Sequence, residues 1–287
     1  MPSIALVGSG NLAYALGPSL MEAGYRIDVV VSRSLSKSRK RAAILAARLG
    51  TCIVALEDFE PASEIVWICH TDDALTETAR ALAKRGKWKG RVVLHSSGAL
   101  TSDVLAPLRR AGAHTASLHP MMTFVPGTKL SMEKIPFAVE GDRRAITISK
   151  KIVKDLDGHI FQIRKKAKVL YHALGSFSSP MVVATLVTGE RVGKAAGLSR
   201  KQVVRLTTRI LLQTTDNYIR RGPASAFSGP IKRGDLDTVR QHLRELKRVP
   251  GAGDVYRALV RSALMDLPTM NTKKLSKLVG KSKSYHP

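Results

Sequence analysis

Short apolar runs alternate with amphipathic segments over the first 165 residues. The runs are rich in β-branched residues and short enough to be strands, and the segments between them repeat their apolar positions with helical spacing. The predicted strands cover residues 4–7, 27–31, 52–54, 65–68, 92–94, 115–118, 137–140 and 159–163. The predicted helices cover 12–23, 36–49, 72–84 and 143–155, with another opening at Thr101. This alternation predicts an α/β fold with a mostly parallel, doubly wound sheet.

The pattern changes near residue 165, after which no run has the character of a strand. Helical spacing covers 166–196, as one long helix or two interrupted near 178–180, and continues over 199–220, 235–247 and 253–265. We therefore predict two domains, an α/β domain over 1–164 and an all-α domain over 165–270. The remainder, 271–287, is rich in lysine and is predicted to be a tail that is mobile or lies against a partner.

A glycine turn follows the first predicted strand at once. The stretch Gly8-Ser9-Gly10-Asn11-Leu12-Ala13 opens an amphipathic helix. Gly8 permits a sharp turn, Gly10 lets a pyrophosphate approach the backbone, and the helix N-terminus favours the negative charge. Strand, glycine turn and helix in this order predict a dinucleotide site that includes Asn11 and Leu12. The alternative is an ordinary turn between a strand and a helix.

The end of the second predicted strand indicates which dinucleotide binds. An NAD site usually has an acidic residue there for the ribose hydroxyl. This chain has Ser32, Arg33 and Ser34, with Lys37, Arg39, Lys40 and Arg41 close behind. A guanidinium suits a 2′-phosphate, so NADP is the predicted cofactor. The alternative is a solvated, basic start of a helix.

Polar residues follow three strands at the edge of the sheet where ligands bind in doubly wound folds. They are His70 and Thr71, then His95, Ser96, Ser97 and Gly98, and finally His119. We predict that His70, Thr71 and His95 lie on the cofactor side, and that Ser96, Ser97 and His119 lie on the substrate side. Three alternatives remain: histidines that bond the backbone, a plain turn at Ser96–Gly98, and a zinc site, which the spacing disfavours.

The helical half contributes Tyr171 and His172 on its first long helix, followed by a Ser178-Ser179-Pro180 turn. The alternative roles are core packing for Tyr171 and a satisfied polar group for His172. A glycine-rich loop from Ser228 to Asp235 leads into another helix, which Asp235 is expected to cap.

Composition narrows the classes of function. The net charge is +25, of which residues 1–160 carry +7 and residues 161–287 carry +18. Aromatic residues make up only 5% and no nucleic-acid motif is present, so an anionic cofactor, substrate or partner is favoured over nucleic acid. Cys52 and Cys69 offer neither a disulfide framework nor metal spacing. We expect no metal, no signal peptide, no apolar run long enough to span a membrane, and a cytoplasmic location.

Four motifs together resemble one bacterial family. They are Gly8 to Ala13, His95 to Leu100, Ser117 to Met121, and Gly229-Pro230 through Arg233-Gly234-Asp235. The chain resembles Rossmann-like NADP oxidoreductases whose C-terminal half is catalogued as a domain of unknown function. More distantly it is similar to pyrroline-5-carboxylate reductases and β-hydroxyacid dehydrogenases. It departs from the lysine–asparagine pattern of the latter, because Lys168 is followed four residues later by His172.

The resemblance implies a helical domain similar to the 6-phosphogluconate dehydrogenase C-terminal type, which dimerises. It also implies that Tyr171 or His172 donates a proton beside the nicotinamide. The resulting hypothesis is an NADP-dependent reductase of a carbonyl or imine in a small, anionic molecule, active as a homodimer. The alternative is a sensor or scaffold that binds NADP without catalysis.

Overall fold

The structure is a computed structural model, and it describes residues 2–33, 36–125 and 131–280. The chain divides into two compact units, Met1–Ser178 and Ser179–Pro287.

An eight-stranded sheet forms the centre of the first unit. Its strands are β1 (Ser3–Val7), β2 (Arg26–Ser32), β3 (Cys52–Ala55), β4 (Ile65–Ile68), β5 (Val92–His95), β6 (His114–Pro120), β7 (Pro136–Gly141) and β8 (His159–Gln162). The order is β3-β2-β1-β4-β5-β6-β7-β8. All neighbours are parallel except β6 and β7, which pair antiparallel. The prediction of a mostly parallel, doubly wound sheet is confirmed.

Helices cover both faces of this sheet. They are α1 (Asn11–Glu22), α2 (Ser36–Arg48), α3 (Asp72–Ala83), α4 (Ala106–Arg110), α5 (Arg143–Asp155) and α6 (Lys168–Ser178). One apolar cluster lies under α1, α2 and α5, and a second lies on the opposite face under α3 and α4. The central strands β1, β4 and β5 are buried at every position, which explains why their sequences are apolar except at Ser3 and His95.

The helix predicted to open at Thr101 is shorter than its pattern indicated. Thr101 caps a single 3₁₀ turn over Ser102–Leu105, and α4 follows for only five residues. Pro107 lies in the first turn of α4, where its missing N–H costs nothing, so the proline fits a new helix start rather than the middle of one longer helix.

The boundary between the compact units differs from the predicted domain boundary. The change of pattern placed the boundary at 164/165, whereas the first unit continues through α6 and ends at Ser178. The change from strand to helix marks a change of secondary structure, but the start of α6 is fixed to the sheet by the buried side chain of Lys168.

The second unit is entirely helical over the residues that the structure describes. Its helices are α7 (Pro180–Ala195), α8 (Arg200–Arg221), α9 (Pro223–Ala226), α10 (Pro230–Arg233), α11 (Leu236–Glu245), α12 (Ala252–Asp266) and α13 (Thr272–Val279). Ser199 and Gln202 form a capping box at the start of α8, and Asp235 caps α11 as predicted. The interruption predicted near 178–180 separates α6 from α7.

The predicted tail over 271–287 is partly wrong. Residues 272–279 form α13, whose Leu275 and Val279 are buried with Val239, Leu243 and Val260 in the core of the second unit. The prediction followed the high lysine content of this segment. It overlooked that Leu275 and Val279 are four positions apart, the spacing of residues on one face of a helix. Residues 281–287 lie outside the described part of the chain.

One helical stretch, Lys165–Ala195, is long and apolar enough to cross a membrane by length and composition alone. The expectation that no apolar run has this length is therefore wrong. None of the residues in the most apolar window of this stretch is buried. A single stretch of this kind is weak evidence for a membrane span, because apolar helix surfaces also form protein interfaces.

Candidate functional site

The glycine turn after β1 is tight and its helix is uncapped. Gly8 has φ +107°, and a Cβ at this position would lie 2.5 Å from Cδ2 of His70. Among the described residues, no side chain caps α1 at Gly10, and the first turn of α1 holds no acidic residue. The free N–H groups and the helix dipole together form a site for an anion.

The chain's own packing does not require the second glycine. A Cβ on Gly10 would meet only the carbonyl oxygen of Cys69, at an ordinary 3.5 Å. The absence of a side chain at Gly10 therefore leaves space above the uncapped helix. This arrangement fits the diphosphate of a dinucleotide, as the sequence predicted.

Arg41, on α2, reaches back to the glycine turn. Its guanidinium donates to the carbonyl oxygen of Ser9 and to Oδ1 of Asn11, both at 3.1 Å. The same group lies 5.3 Å from the ring centre of Tyr14. Asn11 in turn donates through Nδ2 to the carbonyl oxygen of Phe124. Asn11 and its half-buried neighbour Leu12 are thus at the turn, and Arg41 places a positive charge beside them.

The residues predicted to select NADP over NAD lie at and just after the end of β2. Ser32 is buried and Arg33 is exposed, while Ser34 lies outside the described residues. A hydrogen bond from the Thr71 side chain lowers the pKa of Asp73, and the charge of Arg33 adds to this shift. Arg33 therefore lies near the start of α3, at the edge of the sheet where the glycine turn also lies.

His70 supports the glycine turn. Its Nδ1 and the hydroxyl of Thr78 are 2.7 Å apart, and its Cδ2 packs on Gly8. Burial, with a smaller contribution from the charge of Arg33, lowers its pKa to about 4. His70 is therefore neutral at physiological pH and shapes the turn.

His95 lies in the interior of the unit and has no exposed surface. Its Nδ1 accepts a hydrogen bond from the N–H of Ser97 at 3.1 Å, so its proton is on Nε2, which has no hydrogen-bond partner among the described residues. Burial, and then the charge of Lys168, lowers its pKa to about 3. This position does not favour the predicted contact with a cofactor.

The two serines after β5 are held in different ways. Ser96 is half-buried, and its Oγ accepts a hydrogen bond from the indole of Trp67 at 2.8 Å. Ser97 is buried, and its Oγ accepts from the N–H groups of Ala99 and Leu100. The hydroxyl of Ser97 thus stabilises the turn, in agreement with the alternative role considered for it.

His119, Tyr171 and His172 come together over Gly98. Nδ1 of His119 and the hydroxyl of Tyr171 are 2.8 Å apart, and the rings of His119 and His172 are 6.1 Å apart in an edge-to-face arrangement. A Cβ on Gly98 would lie 2.4 Å from Cδ2 of His172 and 2.8 Å from Nε2 of His119. The fold thus brings His119, near the end of β6, together with two adjacent residues of α6 that follow it by 52 and 53 positions.

Burial makes the central pair of this cluster neutral. It lowers the pKa of His119 to about 4, with smaller effects from Lys168 and His172, and it raises the pKa of Tyr171 to about 12. Tyr171 therefore keeps its phenolic proton at physiological pH, and His119 carries no charge. A protonated phenol bonded to a neutral imidazole is able to donate a proton and to have it replaced.

Sequence reasoning missed Glu140 and noted Lys168 only through the resemblance to β-hydroxyacid dehydrogenases, without a role. Both side chains are almost fully buried, and Nζ of Lys168 lies 3.9 Å from Oε1 of Glu140. Lys168 also donates to the hydroxyl of Ser117. The local sequence offers a lysine at the start of a predicted helix and a glutamate at the end of a predicted apolar strand, and neither feature reveals that the two residues meet.

Metal binding by these residues has no geometric support. Among the described residues, no group of three or more His, Cys, Asp or Glu side chains is arranged to hold a metal ion. Cys52 and Cys69 are free thiols, the first exposed and the second buried.

Comparisons with known proteins agree with this architecture. Residues 2–120 match the model of a Rossmann-like domain, and residues 135–263 match the domain of unknown function DUF2520. The chain therefore consists of a Rossmann-like domain followed by a DUF2520 domain. No curated protein matches the chain.

Solved structures share the fold over almost their full lengths. BF3122 of Bacteroides fragilis, predicted to be an NADP oxidoreductase, is 23% identical with a TM-score of 0.74, covering 91% of this chain and 97% of its own. Protein TM1727 of Thermotoga maritima is 25% identical with a TM-score of 0.71, covering 96% and 98%. An imine reductase of Myxococcus stipitatus in complex with NADP+ is 14% identical with a TM-score of 0.66, covering 97% and 100%.

The crowding over Gly98 yields a prediction. Gly98→Ala places a methyl group against both imidazole rings. Because the contacted atoms are the far ends of side chains, we expect the rings to move and the free energy of unfolding to fall by only about 1 kcal/mol. The ring signals of His119 and His172 in NMR spectra should shift.

Gly189→Ala is the control, since a Cβ on Gly189 meets nothing within 4 Å. This variant should leave both histidine signals unchanged. Unshifted signals in Gly98→Ala would contradict the observed packing.

Proposed function

We propose that this chain, a Rossmann-like domain followed by a DUF2520 domain, is an NADP-dependent oxidoreductase that reduces a carbonyl or an imine of a small, anionic substrate. The observation that carries the proposal is the pairing of Tyr171 with His119 at the edge of the sheet that also holds the uncapped glycine turn. The anionic nature of the substrate is supported by the net charge of +25.

The residues that would hold NADP are those of the glycine turn and the end of β2. The N–H groups at the start of α1 would bind the diphosphate, and Arg33 would bind the 2′-phosphate. Arg41 would add positive charge beside the turn. When bound, the reduced cofactor supplies the hydride, and the protein supplies the binding, the orientation and the proton.

Tyr171 is the group best suited to give that proton. Its phenol would donate to the oxygen or nitrogen of the substrate while His119, bonded to the same phenol, returns a proton from Nδ1 and takes one up at Nε2. Gly98 leaves room beneath this pair, and Ser96 and His172 would line the substrate side. The deep burial of His95 and the turn contacts of Ser97 favour supporting roles for these two residues.

The likeness to an imine reductase with bound NADP+ supports this chemistry at the level of the fold. A cytoplasmic location remains a prediction, supported by the two free cysteines.

The proton-donor role predicts the effect of Tyr171→Phe. This variant keeps the ring but removes the proton, so kcat should fall by about 10²–10⁴-fold. The Kd for NADPH should stay within about twofold, because the lost group acts on the transition state. The assay follows NADPH absorbance over a panel of carbonyl and imine compounds.

Tyr218→Phe is the control, because Tyr218 is an exposed tyrosine of α8. Full turnover by Tyr171→Phe would refute the role of Tyr171. NADPH binding without turnover of any compound by the wild-type protein would favour the sensor or scaffold instead.

Cofactor preference is predicted to depend on Arg33. A hydrogen bond to a charged group contributes about 1.5–3 kcal/mol, so Arg33→Ala should weaken NADPH binding by about tenfold or more and hardly change NADH binding. Fluorescence titration with each cofactor measures both constants. Arg110→Ala is the control, since Arg110 is exposed and precedes β6 at the opposite edge of the sheet. Equal losses for NADPH and NADH in Arg33→Ala would contradict the assignment.

Exposed apolar side chains on α7 and α8 support a homodimer. Val183 and Val187 on α7 and Ile210 and Leu212 on α8 are about half to two-thirds exposed. Such surfaces usually form interfaces. Light scattering should give twice the mass of the chain at micromolar concentration, and Ile210→Glu should shift the mass toward the monomer. Lys201→Glu, an exposed change on the same helix, should not. A monomeric wild-type protein would exclude the dimer.

A further inference from the structure

A buried ion pair lies beneath the residues proposed to act on the substrate. The side chains of Lys168 and Glu140 are 1% and 3% exposed, and Nζ lies 3.9 Å from Oε1. Lys168 is in the first turn of α6, and Glu140 is on β7. Neither residue has a part in the proton transfer described above.

Hydrogen bonds connect this pair to the loop that follows β5. Nζ of Lys168 donates to the hydroxyl of Ser117, which donates to the carbonyl oxygen of Ser97. The carboxylate of Glu140 accepts from the N–H and the hydroxyl of Ser102, at 2.7 and 2.8 Å. The ion pair is therefore hydrogen-bonded to the loop that carries Ser96 and Gly98 at two points: near its start, at Ser97 through Ser117, and at its end, at Ser102.

The same pair also lies at the base of the other two segments of the site. Tyr171 and His172 follow Lys168 by three and four residues, so they project from the same side of α6. His119 follows Ser117 by two residues, so both side chains lie on the same face of β6. The position of every proposed substrate-side residue thus depends on groups bonded to Lys168 or Glu140.

Stability does not account for a charge at this position. Burial lowers the pKa of Lys168 to about 8, against the opposing effects of Glu140 and Asp72. The unfolded chain thus binds more protons than the folded chain between about pH 8 and the ordinary lysine value of 10.5. Burial of the charge therefore opposes folding below this window, and the penalty is lost as the pH rises through it. An apolar pair of similar volume is often as stable as a buried ion pair.

We propose that Lys168 is a positioning residue, whose ammonium group, paired with Glu140, holds the Ser96–Ser102 loop and α6 in the arrangement that brings Gly98, His119 and Tyr171 together. The inference rests on the proposed function only in that these groups act on a substrate. The charged or titratable groups that act on Lys168 or feel its charge are Glu140 on β7, His119 on β6, His95 on β5 and Asp72 on α3.

The test removes both charges together, because Lys168→Met alone would leave Glu140 buried and unpaired. The double variant Lys168→Met/Glu140→Gln should keep its melting temperature and its Kd for NADPH close to those of the wild type. Its kcat should fall roughly tenfold to a hundredfold, the effect of a small misplacement of reacting groups. The control is Lys165→Met/Asp103→Asn, which removes a neighbouring, exposed ion pair and should keep full turnover.

A second readout does not depend on catalysis. The chain has two tryptophans, and the indole N–H of Trp67 donates to Ser96 in the Ser96–Ser102 loop. Its ¹⁵N NMR signal, identified from its loss in Trp67→Phe, should shift between pH 6.5 and 9.5 with a midpoint near pH 8, as Lys168 loses its proton. The shift should be absent in the double variant and present in the control.

Ser117→Ala provides an independent check if the double variant does not fold. It removes the link between Lys168 and Ser97, and the Trp67 transition near pH 8 should disappear. A double variant with wild-type turnover, or one whose Trp67 signal titrates as it does in the wild type, would overturn the proposal. A wild-type protein that reduces no compound would refute the proposed function, and the Trp67 titration would still decide the role of Lys168.

Discussion

A charge removed from water must be paired, and this constraint organises the first unit around Lys168 and Glu140. The buried carboxylate of Glu140 needs hydrogen-bond donors and a positive charge that β7 does not supply. It accepts a hydrogen bond from the N–H of Ser102 and pairs with the ammonium of Lys168. Lys168 in turn needs Ser117. Strand, loop and helix thereby become one hydrogen-bonded arrangement, and α6 belongs to the α/β unit although it is a helix at the start of a helical half.

The other constraint lies at the glycine turn, where the backbone N–H groups at the start of α1 lack a capping side chain among the described residues. A Cβ on Gly10 would meet only the carbonyl oxygen of Cys69, at 3.5 Å. Backbone N–H groups that lack internal partners need water or a ligand. Around them His70 packs on Gly8, and Arg41 donates hydrogen bonds to Ser9 and Asn11. A fixed turn with free donors binds an anion without having to order itself first.

Sequence periodicity was sufficient to predict the sheet, the helices and the location of the glycine turn. These features depend on local spacing and on the rule that parallel strands end at one edge. It was not sufficient for α13, where lysines outnumber the two residues that pack. It also did not indicate that His95, which is predicted to lie on the cofactor side, is fully buried. Periodicity could not predict the ion pair of Lys168 with Glu140. These residues are 28 positions apart, and their contact depends on how β7 and α6 pack against each other.

The two constraints together place positive charge differently in the two parts of the first unit: exposed at the glycine turn, and buried beneath the His119 cluster. At the turn, positive charge from Arg33 and Arg41 and the dipole of α1 is exposed to solvent and available to an anion. In the cluster, His119 and Tyr171 are neutral at physiological pH, and the positive charge of Lys168 lies beneath them, opposed by Glu140. That buried charge helps to keep His119 unprotonated, and burial keeps the proton on Tyr171. The lysine therefore maintains both the geometry and the protonation state that a phenol–imidazole pair needs to deliver one proton.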